Sequence, residues 1–213
     1  MAQVFTPRAV LLLKLGALGF VVLLAALLIA IYSYYRGPDT IAEAPEQPIP
    51  FSHKHHVSDV GIDCRYCHDG VEQSAFAGLP ATQVCMTCHS QLFTDAPMLE
   101  PLRASAATGE ALHWARVHDL PDFVYFDHGI HVRKGVGCVE CHGRVDRMPL
   151  TRRVASLEMQ WCLGCHRDPG PHLRAPAYVF DMRPTSEVRR IAGVPKAELA
   201  SVRRLTDCST CHR

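Results

Sequence analysis

All ten cysteines of this 213-residue chain fall into five C-x-x-C pairs, and a histidine follows each pair directly. We number these C-x-x-C-H motifs 1 to 5 from the N-terminus. The cysteines are Cys64, Cys67, Cys85, Cys88, Cys138, Cys141, Cys162, Cys165, Cys208 and Cys211, and the histidines are His68, His89, His142, His166 and His212. In this motif the thiols form thioethers with haem and the histidine binds the iron. The motifs therefore predict five c-type haems. Zinc knuckles or disulfides are the alternative, but neither requires a histidine after every pair.

The sequence before motif 1 is repeated before motif 3. Phe51–His68 reads FSHKHHVSDVGIDCRYCH and Phe126–His142 reads FDHGIHVRKGVGCVECH, so both contain F-x-H-x-x-H-V and a short spacer with glycine. A further motif follows after 16 residues in the first copy and 19 in the second. We expect a two-haem module used twice, module 1 at residues 51–89 and module 2 at residues 126–166. Motif 5, at residues 208–212, follows a long connection in which a helix is predicted from Pro195.

Eight histidines lie outside the motifs, enough to supply each iron with a second imidazole. An iron with two imidazoles has no open position and is suited to electron transfer. Within each H-x-x-H pair the rings share one face of a turn. We expect the first to bind an iron of its own module and the second a neighbouring iron. Met148 and Met159 precede motif 4 and are possible thioether ligands, although a methionine is more often a packing residue. The predicted second ligands are His53, His56, His118, His128, His131 and Met148, with His118 as the fifth histidine.

A long apolar run lies near the N-terminus. It includes 18 uninterrupted apolar positions from Leu15 to Tyr32, enough to cross a bilayer as a helix. We expect residues 1–36 to be an uncleaved membrane anchor, because the run is long for a signal peptide and no A-x-A site follows; a cleaved signal peptide is the alternative. Arg8 and Lys14 place the N-terminus in the cytoplasm and the rest of the chain in the periplasm. The Pro-rich residues 37–50 are predicted to be a linker, followed by a pentahaem domain at residues 51–213.

Charge and composition narrow the fold and the function. Arg8, Lys14 and Arg36 are the only charged residues among the first 36, so 19 basic and 21 acidic residues beyond them give a net charge of −2. This balance gives no support for nucleic-acid binding. Because that part of the chain is modest in Leu, Ile and Phe, we expect haems to fill its centre. The predicted fold is mostly α-helical and irregular with little β structure, similar to class III cytochromes.

Several segments resemble the pentahaem cytochrome c subunit of bacterial alternative complex III, a quinol-oxidising complex. They are the N-terminal span, residues 47–68 (QPIPFSHKHHVSDVGIDCRYCH), 117–132 (VHDLPDFVYFDHGIHV), 156–167 (SLEMQWCLGCHR) and 208–213 (CSTCHR). The resemblance implies an electron-transfer subunit in the inner membrane, not itself an enzyme. It implies, as partners, an iron–sulfur subunit with a molybdopterin-enzyme-like fold, polytopic quinol-binding subunits and a monohaem cytochrome c. It also implies mixed axial ligation, which keeps methionine among the possible ligands.

Two other functions are considered. A membrane-anchored multihaem quinol dehydrogenase that feeds periplasmic reductases has the same anchor and haems, but lacks this arrangement of H-x-x-H pairs. A multihaem nitrite or hydroxylamine reductase requires a five-coordinate iron, often at a C-x-x-C-K site, and the sequence contains no such motif. We therefore expect electron transfer within a quinol-oxidising complex.

Overall fold

The computed structural model describes residues 6–36, 43–192 and 203–212. The chain divides into two units, Met1–Thr40 and Ile41–Arg213. The first unit contains α1 (Pro7–Arg36), which begins with proline, a residue favoured at the first helical position. Its 30 residues span about 45 Å, more than the roughly 30 Å of a hydrocarbon core. Among the described residues, α1 is the one helix that is long and apolar enough to cross a membrane.

The second unit consists of short helices joined by irregular chain. Its α-helices within the described residues are α2 (Cys64–Cys67), α3 (Thr82–His89), α4 (Glu100–Thr108), α5 (His128–Arg133), α6 (Cys138–His142), α7 (Met159–Arg167), α8 (Thr185–Ala192) and α9 (Cys208–Cys211). A π-helical turn at Lys54–Asp59 carries the first H-x-x-H segment, and α5 carries the second. Single 3-10 turns lie at Pro97–Leu99, Val145–Arg147, Gly170–His172 and Pro176–Tyr178.

Each motif forms a helical turn that brings its two cysteines and its histidine together. The histidine N–H donates to the carbonyl oxygen of the first cysteine, from His68 to Cys64 and from His212 to Cys208, both at 2.9 Å. Asp63 caps α2 by accepting a hydrogen bond from the N–H of Arg65. Across the described ranges, the β contact is one isolated antiparallel bridge. The prediction of short helices around the motifs with little β structure is confirmed.

The apolar core of the second unit is small. Its buried apolar side chains are Ile49, Val71, Leu102, Met148, Ala155, Leu173, Val179, Met182 and Val188. Ile49 belongs to the predicted linker, and the side chain of Gln47 exchanges two 2.9 Å hydrogen bonds with the backbone of Ala115. Residues 47–49 therefore pack within the second unit. The helix predicted from Pro195 lies outside the described residues.

The two modules hold each other through matching hydrogen bonds. The N–H of Lys54 in module 1 donates to the carbonyl oxygen of Met148 in module 2, and the N–H of Gly129 in module 2 donates to that of Ser74 in module 1, both at 3.0 Å. Both donors directly follow the first histidine of an H-x-x-H pair, and both acceptors lie six residues after a motif histidine. The sequence repeat is therefore also a repeat in three dimensions, and the contacts between its copies are reciprocal.

A buried arginine fastens the chain after motif 4 to motif 3. The Arg174 side chain is fully buried, and Gly137 lies so close that a Cβ there would stand 2.5 Å from its guanidinium carbon. The guanidinium also lies 3.9 Å from the carboxylate of Glu140, inside motif 3. It donates hydrogen bonds to the carbonyl oxygens of Tyr178, Asp181 and Arg183 and to the hydroxyl of Thr185.

Candidate haem-iron sites

Four of the five motif histidines each face a histidine of an H-x-x-H pair. The distances between ring centroids are 6.4 Å for His53 and His68, 6.3 Å for His56 and His89, 6.4 Å for His128 and His142, and 6.1 Å for His131 and His166. A ring nitrogen binds a metal at about 2.0–2.1 Å, so two imidazoles on opposite sides of one iron have centroids about 6.3 Å apart. The four observed distances agree with this value, so these residues fit haem irons.

The angles between the facing rings follow the duplication. The first histidine of each H-x-x-H pair is nearly parallel to its partner, at 8° for His53 and 13° for His128. The second is closer to perpendicular, at 61° for His56 and 73° for His131. Each module thus presents one nearly parallel and one strongly rotated pair, so the two modules repeat each other at the level of the sites.

Hydrogen bonds engage the Nδ1 atom of these rings and leave the Nε2 atom free. The Nδ1 atoms bond as follows: His53 to Thr151 Oγ1 at 2.7 Å, His56 to the Ser52 carbonyl at 2.9 Å, His128 to the Ala75 carbonyl at 2.8 Å, and His131 to the Asp127 carbonyl at 2.7 Å. His68, His89 and His212 bond in the same way to the carbonyl oxygens of Gly78, Leu92 and Phe123. A carbonyl only accepts, so in the rings bonded to carbonyl oxygens Nδ1 carries the proton and Nε2 keeps the lone pair that binds a metal, and the Thr151 hydroxyl is able to accept from His53 in the same way.

Burial keeps the most enclosed rings neutral, and the neutral imidazole is the form that binds metals. Burial, together with nearby histidines, lowers the pKa of His53 to about 4 and that of His142 to about 3. Burial likewise lowers the pKa of His131. The thiols of motif 3 share this environment, because burial raises the pKa of Cys138 to about 11 and that of Cys141 to about 12.

Motif 5 has different surroundings. Its His212 ring packs 5.8 Å from the ring of Phe123, and no histidine ring faces it within the described residues. His118 instead contacts His142 edge to face at 4.3 Å and 70°, which does not place it opposite His212. His118 Nε2 is buried and has no hydrogen-bond partner in the described part of the chain. Met148 is buried, and its carbonyl oxygen accepts from Lys54, next to the first H-x-x-H pair.

Contacts between the motifs indicate their order in space. The hydroxyl of Tyr66 in motif 1 lies 2.9 Å from that of Thr87 in motif 2. The N–H of Tyr125, just before module 2, donates to the carbonyl oxygen of Cys211 in motif 5 at 2.8 Å. Burial raises the pKa values of three thiols, and after burial the largest effect on each pKa is that of a cysteine in a neighbouring motif. These pairs are Cys138 with Cys64, Cys141 with Cys165, and Cys162 with Cys211. The hydrogen bonds and the neighbouring thiols together indicate the order 2, 1, 3, 4, 5.

Sequence reasoning found the rings but missed a residue that orients one of them. Thr151 lies in module 2, yet its hydroxyl bonds to His53 of module 1. The residues are 98 positions apart, and no local pattern marks Thr151 as a partner. The Phe of F-x-H-x-x-H-V was visible as part of the repeat, but its spacing alone assigns it no contact.

Comparison with known proteins shows the family of the chain. Residues 124–213, which contain motifs 3 to 5, match the family model described as cytochrome c7 and related cytochrome c. The menaquinone reductase multihaem cytochrome c subunit of Nitratidesulfovibrio vulgaris (strain Hildenborough) is 31% identical over 196 residues, covering 91% of this chain and 79% of that protein. The chain belongs to the family of this multihaem cytochrome c subunit. Membership of the multihaem cytochrome c subunit family confirms the prediction of a c-type electron-transfer protein. This relative is a subunit of a menaquinone reductase, whereas the resemblance noted in the sequence is to alternative complex III.

Proposed function

We propose that this chain is the electron-relaying cytochrome subunit of a membrane complex that exchanges electrons with menaquinone. The observation that carries the proposal is the set of four facing histidine pairs at iron-spanning distances. An iron held by two imidazoles has no position for a substrate, so the sites favour electron transfer over substrate chemistry. The similarity to a menaquinone reductase subunit supports menaquinone as the quinone.

In this proposal, residues of the chain supply the second ligand of each iron and hold neighbouring motifs in contact. When bound, each haem supplies a reversible one-electron iron couple. In the proposed assignment, His53, His56, His128 and His131 are the second ligands of the irons at motifs 1, 2, 3 and 4. The spatial order of the motifs makes motifs 2 and 5 the two ends of the series. Redox partners therefore approach at these ends.

The iron at motif 5 differs from the others because no histidine ring faces His212 within the described residues. Of the histidines left over, His55 lies 3.8 Å from the Asp59 carboxylate and His118 packs on His142. His172 bonds to Glu140 at 2.8 Å, and His113 is exposed. The segments outside the described residues contain no histidine in their sequence. We therefore propose for motif 5 a second ligand other than an H-x-x-H histidine; of the two thioethers suggested by the sequence, Met148 lies beside the first H-x-x-H pair, and Met159 begins the helix of motif 4.

Helix α1 is the proposed anchor, with its N-terminus in the cytoplasm and the haem unit in the periplasm. The resemblance to alternative complex III supports partners of the same kinds, namely an iron–sulfur subunit, polytopic quinone-binding subunits and a monohaem cytochrome c. The two assignments share these haem sites and differ in the direction of electron flow. A menaquinone reductase delivers electrons to the quinone, whereas alternative complex III takes them from quinol.

The test uses the complex purified from native membranes through a tag on this chain. We expect an iron–sulfur subunit and polytopic subunits to copurify, and we expect a reduced periplasmic cytochrome to drive menaquinone reduction by the complex. Menaquinol oxidation coupled to a soluble acceptor, without the reverse reaction, would favour alternative complex III. Menaquinol oxidation by the isolated full-length chain would instead identify a self-contained quinol dehydrogenase.

A further inference from the structure

One phenylalanine contacts both histidines of each H-x-x-H pair. The Phe51 ring stacks on that of His56 at 4.4 Å and 21°, and meets that of His53 edge to face at 4.9 Å and 86°. In module 2, the Phe126 ring stacks on one histidine at 4.5 Å and 25° and meets the other at 4.8 Å and 89°. The two copies agree within 0.1 Å and a few degrees, so the arrangement belongs to the repeat.

The contact with phenylalanine narrows the range of ring planes open to the stacked histidine. Its Nε2 faces the iron position, and its Nδ1 bonds to a carbonyl oxygen, of Ser52 for His56 and of Asp127 for His131. The ring turns about its Cβ–Cγ bond, and the angular tolerance of a hydrogen bond leaves part of that rotation open. An aromatic face packed against the imidazole removes that freedom. In module 1 the phenylalanine is itself backed by Trp114, whose ring lies 6.4 Å away at 83°.

We propose that Phe51 and Phe126 are positioning residues that set the ring planes of the iron ligands at two neighbouring haems, an inference that rests on the ligand assignment above. Each phenylalanine is nearly parallel to the second histidine and nearly perpendicular to the first. It therefore holds the two ligand planes of a pair well away from parallel. The phenylalanine thus sets one of the two ring planes at each iron, and the motif histidine supplies the other.

Loss of the phenylalanine face affects the second histidine more than the first. His53 remains bonded to Thr151 in the other module and meets the phenylalanine only through an edge. An aromatic pair stabilises its partners by an amount that corresponds to about a two- to tenfold change in an equilibrium constant. In a Phe51→Leu variant we expect cyanide to displace the ligand at motif 2 about two- to tenfold more readily.

The experiment uses the full-length ferric chain in detergent, with five haems per chain confirmed by the pyridine haemochrome assay. Near-parallel imidazole planes give a rhombic low-spin electron paramagnetic resonance signal, and near-perpendicular planes give one with a large maximum g value. We expect Phe51→Leu to shift or broaden one large-g signal and to leave the rhombic signals in place, with Phe126→Leu as the matched change in module 2. Phe51→Tyr keeps the ring and the wild-type spectrum. Phe76→Leu is the control, because Phe76 is 75% exposed and lies outside the H-x-x-H segments.

The outcomes separate this proposal from the assignment on which it rests. Unchanged large-g signals and unchanged cyanide binding in both leucine variants would overturn the positioning role. A wild-type spectrum without the two classes of signal would overturn the ligand assignment itself. A spectral change in Phe76→Leu as large as that in Phe51→Leu would also count against a specific role for the phenylalanine of the repeat.

Discussion

Replacement of Arg174 by methionine tests whether its buried network holds motif 3 in place. Methionine has a similar length but no charge and no hydrogen-bond donors. The change leaves the carbonyl oxygens of Asp181 and Arg183 without this donor, whereas that of Tyr178 keeps the N–H of Asp181. It also removes the guanidinium that lies 3.9 Å from the carboxylate of Glu140, which keeps its contacts with His172 and Thr185. Removing one partner of a buried charged network costs about 3–5 kcal/mol.

Hydrogen exchange of the full-length chain measures this loss locally. The N–H of Arg174 donates to the carbonyl oxygen of Gly135 at 2.9 Å, so its exchange reports the opening of the contact between these two segments. A loss of about 3 kcal/mol corresponds to more than about a hundredfold faster exchange. We expect this acceleration at residues 173–185 and around motif 3, and little change in α4, which lies in a different part of the chain.

Arg183→Met is the matched control. Arg183 also pairs with an aspartate, Asp181, but its side chain is 43% exposed and water screens the pair. We expect much smaller changes in exchange for this variant. The reasoning is refuted if Arg174→Met accelerates exchange less than tenfold, or no more than Arg183→Met does.

Three further predictions concern single sites. His53→Ala and His56→Ala should each convert one of the five haems to high spin and add one carbon monoxide site per chain, with His53→Ala removing a rhombic signal and His56→Ala a large-g signal. His55→Ala, whose ring pairs with an exposed carboxylate, should leave the spectrum unchanged. Thr151→Val removes the acceptor for His53 Nδ1–H, which weakens stabilisation of the ferric iron. It should raise the midpoint potential of one haem by about 30–60 mV in a redox titration, and an unshifted set of five potentials would contradict the role of the hydroxyl. Gly137→Ala places a Cβ 2.5 Å from the buried guanidinium carbon and should destabilise the chain by about 1–3 kcal/mol in thermal unfolding, whereas an unchanged midpoint would show that the guanidinium has room to move.

The sequence was sufficient for features that depend on neighbouring residues. A C-x-x-C-H motif is contiguous because one haem must reach both thiols and the histidine, so all five helical turns could be placed from spacing. The apolar run predicted α1, and the repeated H-x-x-H segments predicted which histidines would face the motifs. That His56 faces His89 of its own module follows from the arrangement of the two turns, and spacing alone did not select this partner.

Features that depend on distant residues could not be predicted in the same way. Thr151 meets His53 only because the modules exchange backbone hydrogen bonds across more than 90 residues. His118 was predicted as the fifth histidine ligand, but the fold packs its ring edge to face on His142, and it does not face His212. The role of Arg174 depends on a close approach to Gly137 that neither residue type signals by itself.

The reciprocal bonds between the modules also bear on how such a chain is made and inherited. Motif 1 and its histidines precede Thr151 and Met148 in the chain. During synthesis, His53 therefore gains its hydrogen bond to Thr151 only after module 2 has been made. Module 2, in turn, uses the Ser74 and Ala75 carbonyl groups of module 1. Since the duplication that the repeat indicates, each copy has supplied hydrogen-bond partners that the other copy uses. A descendant that lost either copy would lose the support of the copy that remained.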